Sequence, residues 1–177
     1  MNAGRYARQI ALPGIGEAGQ ARLAATTLLV VGAGGIGCPA LVSLAGAGVG
    51  RLLVVDPDTI ALANLHRQHL YAPADVGRPK AEVAAVALRR LNPELRIEAV
   101  TAALTPGNAP TLVARADLVL DASDNRAVTY MLDAATRGTG KPLVAAAALG
   151  FDGHVGCYGA GAPGYRAIFP DMPRAAG

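Results

Sequence analysis

Two short stretches of the chain are apolar at almost every position, and each ends at a residue with a special role. Thr27–Val31 (TLLVV) ends at Gly32, and Arg51–Val55 (RLLVV) ends at Asp56. A strand with one face in water alternates apolar and polar residues, whereas a strand covered by helices on both faces is apolar throughout. The pattern therefore predicts two central strands of a parallel sheet.

The rest of the chain alternates between helical and strand-like spacing. Apolar residues recur every three or four positions in the predicted helices, which are Glu17–Ala25, Cys38–Ala47, Lys80–Leu91, Pro110–Ala114 and Arg126–Arg137. Short apolar runs predict the remaining strands, which are Arg96–Val100, Asp117–Asp121, Pro142–Ala148 and an edge strand at Phe151–Cys157. The tail after Gly159 is expected to be loop. This alternation predicts an α/β, Rossmann-like doubly wound, mostly parallel sheet, with an N-terminal helical arm ahead of it.

The segment after the first strand, GAGGIG, has the spacing of a phosphate-binding turn. In this pattern Gly32 permits a tight turn, Gly34 lets the backbone approach a phosphate, and Gly37 lets the helix pack close to the strand. The start of that helix offers unpaired N–H groups and a positive dipole end to an anion. Asp56 follows the second strand about 20 residues later, where a carboxylate can hold ribose hydroxyls.

The simpler interpretation of this stretch is a glycine-rich turn without a ligand. Strand, glycines, helix and acid all occur in the required order, so we favour a nucleotide site.

A long polar connection follows Asp56 and leads to the next predicted helix, which begins at Lys80. Such a connection at the carboxyl ends of parallel strands is where an open α/β sheet builds its binding site. It contains Asp58, Asn64, Arg67, Gln68, Arg78 and Lys80. A lysine at a helix start is unfavourable for the helix dipole. We therefore expect Lys80 to face an anion, although a solvated lysine is the alternative.

The predicted fourth strand ends in a second polar cluster, Ser123, Asp124 and Asn125. A carboxylate beside a phosphate loop suits a hydrated Mg²⁺. The same residue types also suit the N-cap of the helix that begins at Arg126. The sequence leaves both roles open.

Composition excludes several other classes of protein. The 177 residues are enough for one domain with a substantial core, and 52% hydrophobic content with a mean hydropathy of +0.33 argues against disorder. No apolar run approaches the roughly 20 residues of a membrane span, and the N-terminus lacks a signal-peptide core. The net charge of +3 is small and its arginines are scattered, so we expect no nucleic-acid or membrane partner and a cytoplasmic location.

With these motifs in place, the chain resembles the MoeB/ThiF family, relatives of the adenylation domains of ubiquitin-activating enzymes. The resemblance extends from RYARQ near the N-terminus to GYRAIFP near the C-terminus. The intervening landmarks are GAGGIGCPA, GVGRLLVVDPDTI, NLHRQHLY, VGRPKAE, LNP, DLVLDASDN and KPLV. It implies that residues 1–177 form a single, C-terminally short ATP-binding adenylyltransferase domain.

Members of this family use MgATP to adenylate the C-terminal glycine of a ubiquitin-like sulfur-carrier protein that ends in Gly-Gly. The resemblance implies that Arg67, Lys80 and Asp124 are catalytic, with Asp124 holding Mg²⁺. It also implies that Arg8 is a fourth catalytic residue, which reaches the ATP of the other subunit in a homodimer. The residues that would contact the nucleotide are Gly32, Gly34, Gly35, Gly37, Asp56, Asp58, Asn64, Arg67, Gln68, Lys80, Asp124 and Asn125.

The chain departs from the family pattern at several positions. Relatives commonly bind a structural zinc through two C-x-x-C pairs, but Gly164 and Ala167 stand where the first pair would lie, so we expect no zinc. Thr129 stands where relatives often have an arginine, with Arg126 as a substitute nearby. Cys38 and Cys157 are both expected to be small buried residues, which makes a covalent sulfur relay doubtful.

Two other functions remain to be separated from adenylation. One is a non-catalytic relative that holds nucleotide or a ubiquitin-like tail without turnover. The other is an NAD-dependent oxidoreductase that uses the same glycine loop and Asp56. The NAD interpretation gives no role to Asn64, Arg67, Lys80 and Asp124.

Overall fold

The computed structural model describes residues 3–170. These residues form one six-stranded sheet with helices on both faces. The strands are β1 (Thr27–Val31), β2 (Arg51–Val55), β3 (Arg96–Val100), β4 (Leu118–Asp121), β5 (Leu143–Leu149) and β6 (Asp152–Tyr158). The helices are α1 (Ala3–Ile10), α2 (Gly16–Ala25), α3 (Gly37–Ala47), α4 (Lys80–Leu91), α5 (Ala109–Ala114), α6 (Arg126–Thr136) and α7 (Tyr165–Ile168).

The strand order is β3-β2-β1-β4-β5-β6, in which the first five strands are parallel and β6 pairs antiparallel with β5. The chain runs outward from β1 to β3 and then returns to place β4 on the other side of β1. This reversal is the point at which open α/β sheets bind ligands, outside the carboxyl ends of the strands. The predicted fold is confirmed.

The core explains why the two apolar runs carry no polar residues. Leu28 and Val30 of β1 pack on one face of the sheet with α3 and α4, while Leu29 and Val31 pack on the other with α5 and α6. Both faces of the central strands are therefore removed from water. Apolar burial of this kind is the main stabilising contribution to such a sheet.

The segment after Gly159 differs from the predicted loop. It contains α7, whose Tyr165 is 1% exposed and lies against the rings of Tyr130, Tyr158 and Phe169. The backbone N–H of Tyr165 donates to Oδ1 of Asp133 at 2.6 Å. The segment is too short for its apolar spacing to predict a helix. The contacts between aromatic rings explain why α7 packs against the rest of the protein.

The prediction that both cysteines are buried is half wrong. Cys38 is 0% exposed inside α3, whereas Cys157 is exposed on β6. The reason is that β6 is an edge strand, so alternate residues such as Val155 and Cys157 face away from the core.

Across residues 3–170, none of the helices has both the length and the hydrophobicity that crossing a bilayer requires.

Candidate functional site

A cavity of about 720 Å³ opens at the carboxyl ends of β1, β2 and β4. It is bounded by the glycine loop, the connection between β2 and α4, and the connection between β4 and α6. The polar residues that line it are Asp56, Asp58, Asn64, Arg67, Gln68, Lys80, Ser123, Asp124 and Asn125. Its position is the one that the reversal of strand order predicts for a ligand.

The glycine loop requires glycine for steric reasons that the structure makes visible. Gly32 has φ +97°, and a Cβ there would lie 2.7 Å from the carbonyl oxygen of Ala122. A Cβ on Gly37 would collide with the carbonyl oxygen of Gly32. Gly32 thus packs directly against the β4–α6 connection, and Gly37 lets α3 begin against the loop itself.

Three side chains hold Ala33, the residue between the first two glycines of the motif. Its N–H donates to Oδ2 of Asp56 at 2.7 Å. Its carbonyl oxygen accepts the hydroxyl of Tyr71 at 2.8 Å and the thiol of Cys38 at 3.3 Å. The loop is therefore fixed before any ligand arrives, which lowers the entropic cost of binding.

Asp56 is 5% exposed and accepts two backbone N–H groups, those of Ala33 and Asp58. Burial raises the pKa of this carboxyl, and the two N–H donors and the nearby Lys80 charge offset part of that rise. Each carboxylate oxygen has a second lone pair. Asp56 can thus tie the glycine loop to β2 and still accept a hydroxyl from a ligand in the cavity.

The connection after β2 places a cation and an amide over the glycine loop. The N–H groups of Arg67 and Gln68 both donate to the carbonyl oxygen of Asn64 at 3.1 Å, so the two side chains follow a tight turn. Arg67 lies over Gly35, where an added Cβ would be 3.2 Å from its Cδ. Gln68 is 3% exposed, and its Oε1 is the buried side-chain atom without a hydrogen-bond partner in residues 3–170.

Lys80 is the first residue of α4 and its side chain is 6% exposed. Its Nζ donates to Oδ2 of Asp58 at 2.8 Å, so the anion that the lysine faces is a carboxylate of the protein itself. The Asp58 side chain is 66% exposed. Because that carboxylate is open to solvent, a phosphate can approach the same ammonium group.

The structure shows which residue of the β4–α6 connection is the N-cap of α6. Asn125 is the N-cap of α6, because its Oδ1 accepts the N–H of Ala127 at 2.9 Å. Asp124 is exposed and lines the cavity. Mg²⁺ keeps several waters and usually takes one or two carboxylates plus phosphate oxygens, so Asp124 fits it. Among residues 3–170, no three His, Cys, Asp or Glu side chains are grouped as a metal cluster.

The structure brings most of the predicted site residues to this one cavity, with two exceptions. Gly37 does not line it and acts through its contact with Gly32. Arg8 is exposed on α1, and α1 packs near Gly48 and Asn92 at the amino ends of β2 and β3, opposite the cavity. Arg8 therefore lies away from the cavity of its own chain.

Sequence reasoning missed two groups of residues at the site. The apolar part of the wall includes Ala103, Leu104, Val128 and Met131, which come from two distant segments without a motif. Tyr71 and Asp121 do not line the cavity but form hydrogen bonds with the loops that do, Tyr71 with Ala33 and Asp121 with Ser123. Tyr71 stands within the quoted NLHRQHLY landmark, so a signal for it was present.

Comparisons with known proteins agree on one family. Residues 6–176 match the family model described as the ThiF family. The chain is 48% identical over 172 residues to the adenylyltransferase and sulfurtransferase MOCS3 of Bos taurus, covering 97% of this chain and 38% of that protein. It is 47% identical to the sulfur carrier protein adenylyltransferase of Thermus thermophilus, covering 96% of this chain and 65% of that protein.

Among solved structures, the chain is similar to the E. coli tRNA N6-threonylcarbamoyladenosine dehydratase TcdA in complex with ATP. The TM-score is 0.76 at 33% identity, covering 81% of this chain and 58% of that one. The chain thus spans between about two fifths and two thirds of the length of these relatives.

Proposed function

Since the chain belongs to the ThiF family, we propose that it adenylates the C-terminal glycine of a ubiquitin-like sulfur-carrier protein with MgATP. The observation that carries the proposal is the convergence of Asp56, Arg67, Lys80 and Asp124 on one cavity beside the glycine loop. Two of the similar proteins are named adenylyltransferases, and a third was solved with ATP.

The reaction joins a carrier carboxylate oxygen to the α-phosphorus of ATP and breaks the bond between that phosphorus and the bridging oxygen to the β-phosphate. The products are an acyl-adenylate and pyrophosphate, so no oxidant or added base is required. Negative charge builds on the phosphates as pyrophosphate leaves. Fixed positive charge at that place lowers the barrier.

The chain offers that charge from two directions. Arg67 lies over Gly35 and can hold two phosphate oxygens with its planar guanidinium, while Lys80 acts as a point charge at the start of α4. Mg²⁺, when bound through Asp124, would neutralise further phosphate charge. The nucleophile is the carrier itself, so the protein needs no Ser, His and Asp constellation.

We further propose that the active unit is a homodimer in which Arg8 acts on the partner's nucleotide. The support is that Arg8 is exposed on a helix at the amino ends of the strands, away from the cavity of its own chain. Active-site complementation tests this: we expect Arg8→Ala and Lys80→Ala each to lose activity, and a mixture that exchanges subunits to regain about a quarter of the wild-type activity. A mixture that stays inactive, although subunits exchange, contradicts the shared site.

The main test is pyrophosphate exchange into ATP in the presence of carrier proteins that end in Gly-Gly. We expect exchange to require both Mg²⁺ and the free carrier C-terminus. A matched carrier with its C-terminal carboxyl amidated should support none. Saturable MgATP binding without exchange for any carrier would indicate a non-catalytic relative, and binding of NAD but not ATP would overturn the proposal.

A further inference from the structure

Asp121, the last residue of β4, is a buried carboxylate that the proposed reaction does not use. It is 1% exposed, and its two oxygens are bonded to two different elements. Oδ1 accepts the N–H of Ser123 at 3.0 Å and the Ser123 hydroxyl at 2.6 Å. Oδ2 accepts the hydroxyl of Thr129, on α6, at 2.6 Å.

These bonds hold the connection that carries Asp124 at both of its ends. Ser123 lies immediately before Asp124, and Thr129 lies in the second turn of the helix that follows. The same connection rests on the glycine loop, because Ala122 and Ser123 pack against Gly32 and the N–H of Ala122 donates to Val31. Movement of Asp121 would therefore change the distance between Asp124 and the phosphate loop.

Keeping a carboxylate buried among neutral hydroxyls is costly, since burial favours its uncharged form. Hydrogen bonds to both oxygens offset part of this cost and fix the side chain. A side chain fixed by several hydrogen bonds can hold a neighbouring residue in one position. Around metal ions, partners behind the ligand commonly change metal affinity by 10- to 100-fold.

The geometry points to Asp121 as a positioning residue that, through Ser123 and Thr129, holds Asp124 at the place where MgATP binds. This inference rests on the proposed nucleotide site and names a residue that acts without touching the ligand. Asp121 does not line the cavity.

The test is Thr129→Val, which removes one hydrogen bond and keeps the shape of the side chain. Its matched control is Thr136→Val on the same helix, where a buried threonine hydroxyl bonds only to the carbonyl oxygens of Leu132 and Asp133. We expect Thr129→Val to weaken ATP binding in Mg²⁺ by about tenfold in calorimetric titrations, with ATP affinity in chelator unchanged. Thr136→Val should leave both affinities unchanged.

A double-mutant cycle separates positioning from general loosening. In an Asp124→Asn background, Thr129→Val should have no further effect on Mg²⁺-dependent binding. Amide hydrogen exchange at Ser123, measured without ligand, should be faster in Thr129→Val than in the control. Equal losses with and without Mg²⁺, additivity with Asp124→Asn, or behaviour like that of Thr136→Val would overturn the inference. Failure of the wild-type protein to bind MgATP would instead overturn the proposed function.

Discussion

The Nζ atom of Lys80 donates a hydrogen bond to Oδ2 of Asp58 at 2.8 Å in the wall of the cavity. The lysine side chain is buried and the aspartate is largely exposed. The buried ammonium group of Lys80 is therefore held in place by an exposed carboxylate. A phosphate can displace that carboxylate or bind beside it. This arrangement compensates the charge of the buried ammonium in the absence of a ligand.

Lys80→Ala should reduce the rate of pyrophosphate exchange by about 100-fold or more, because a fixed charge at the leaving group is lost. Arg67→Ala should cause a comparable loss. The control is Lys141→Ala, since Lys141 bonds to the carbonyl oxygens of Val113 and Ala114 ahead of the amino end of β5 and does not line the cavity. Normal exchange in Lys80→Ala or Arg67→Ala would contradict their assigned roles.

Tyr71→Phe should weaken MgATP binding several-fold, because the Tyr71 hydroxyl holds the carbonyl oxygen of Ala33 in the glycine loop. The free energy of unfolding should fall by about 1 kcal/mol. Tyr6→Phe is the matched control, since Tyr6 is equally buried and its hydroxyl accepts from Asn92 away from the cavity. Calorimetric titration should show a binding defect for Tyr71→Phe alone. Equal affinity in the two variants would refute the role of the hydroxyl in the loop.

Gly32→Ala should lower the free energy of unfolding by about 3 kcal/mol or more, because it combines a left-handed backbone with a collision against Ala122. Gly77→Ala separates the two causes. Gly77 has φ +86° with no atom within 4 Å of an added Cβ, so its cost should be about 1–2 kcal/mol. Urea unfolding of both variants measures the difference, and similar losses would show that the contact with Ala122 is unimportant.

The docking of α7 should not depend on zinc. The carboxylate of Asp133 accepts from Tyr165 and pairs with Arg137 at 2.8 Å, and Gly164 and Ala167 offer no thiol. Metal analysis should find no stoichiometric zinc, and incubation with a chelator should leave the melting temperature unchanged.

Asp133→Ala, in contrast, should lower the free energy of unfolding by about 2 kcal/mol, the typical contribution of a hydrogen bond to a charged group. Asp152→Ala, on the exposed edge strand β6, is the control and should have little effect. Stability of Asp133→Ala equal to that of the control would exclude the carboxylate as the anchor of α7.

Asp121 should give the protein a specific dependence of stability on pH. Burial raises the pKa of this carboxyl above the ordinary value of 3.8, and hydrogen bonds from Ser123 and Thr129 offset part of the rise. The folded state therefore binds the proton more readily than the unfolded state. The resulting stabilisation is complete below the ordinary pKa and is lost as pH rises through the raised folded pKa.

Asp121→Asn is neutral throughout this range, so it serves as the reference. The free energy of unfolding of the wild type, minus that of Asp121→Asn, should increase as the pH falls from 7 towards 4. Urea unfolding at several pH values measures this difference. A difference that shrinks on acidification would show that the folded protein favours the charged carboxylate.

The sequence was sufficient to predict the sheet and the position of the glycine loop at the cavity. The unbroken apolar runs of β1 and β2 reflect burial on both faces, which is a local property of each strand. The glycines and Asp56 lie close together in the chain or at a fixed distance after a strand. Such patterns can be recognised in the sequence because strand burial and the turn after a strand depend on residues at regular spacing.

Only the tertiary structure decided which partners these residues take. The pairing of Lys80 with Asp58, the choice of Asn125 as the N-cap, and the exposure of Cys157 depend on contacts that spacing does not specify. Two small facts show this most clearly: Tyr71 reaches Ala33 across 38 residues, and Tyr165 reaches Asp133 across 32. The sequence therefore determined the fold and the place of the site, because burial and backbone geometry are repeated along the chain. Packing decided the supporting contacts, because each depends on one side chain meeting one distant atom.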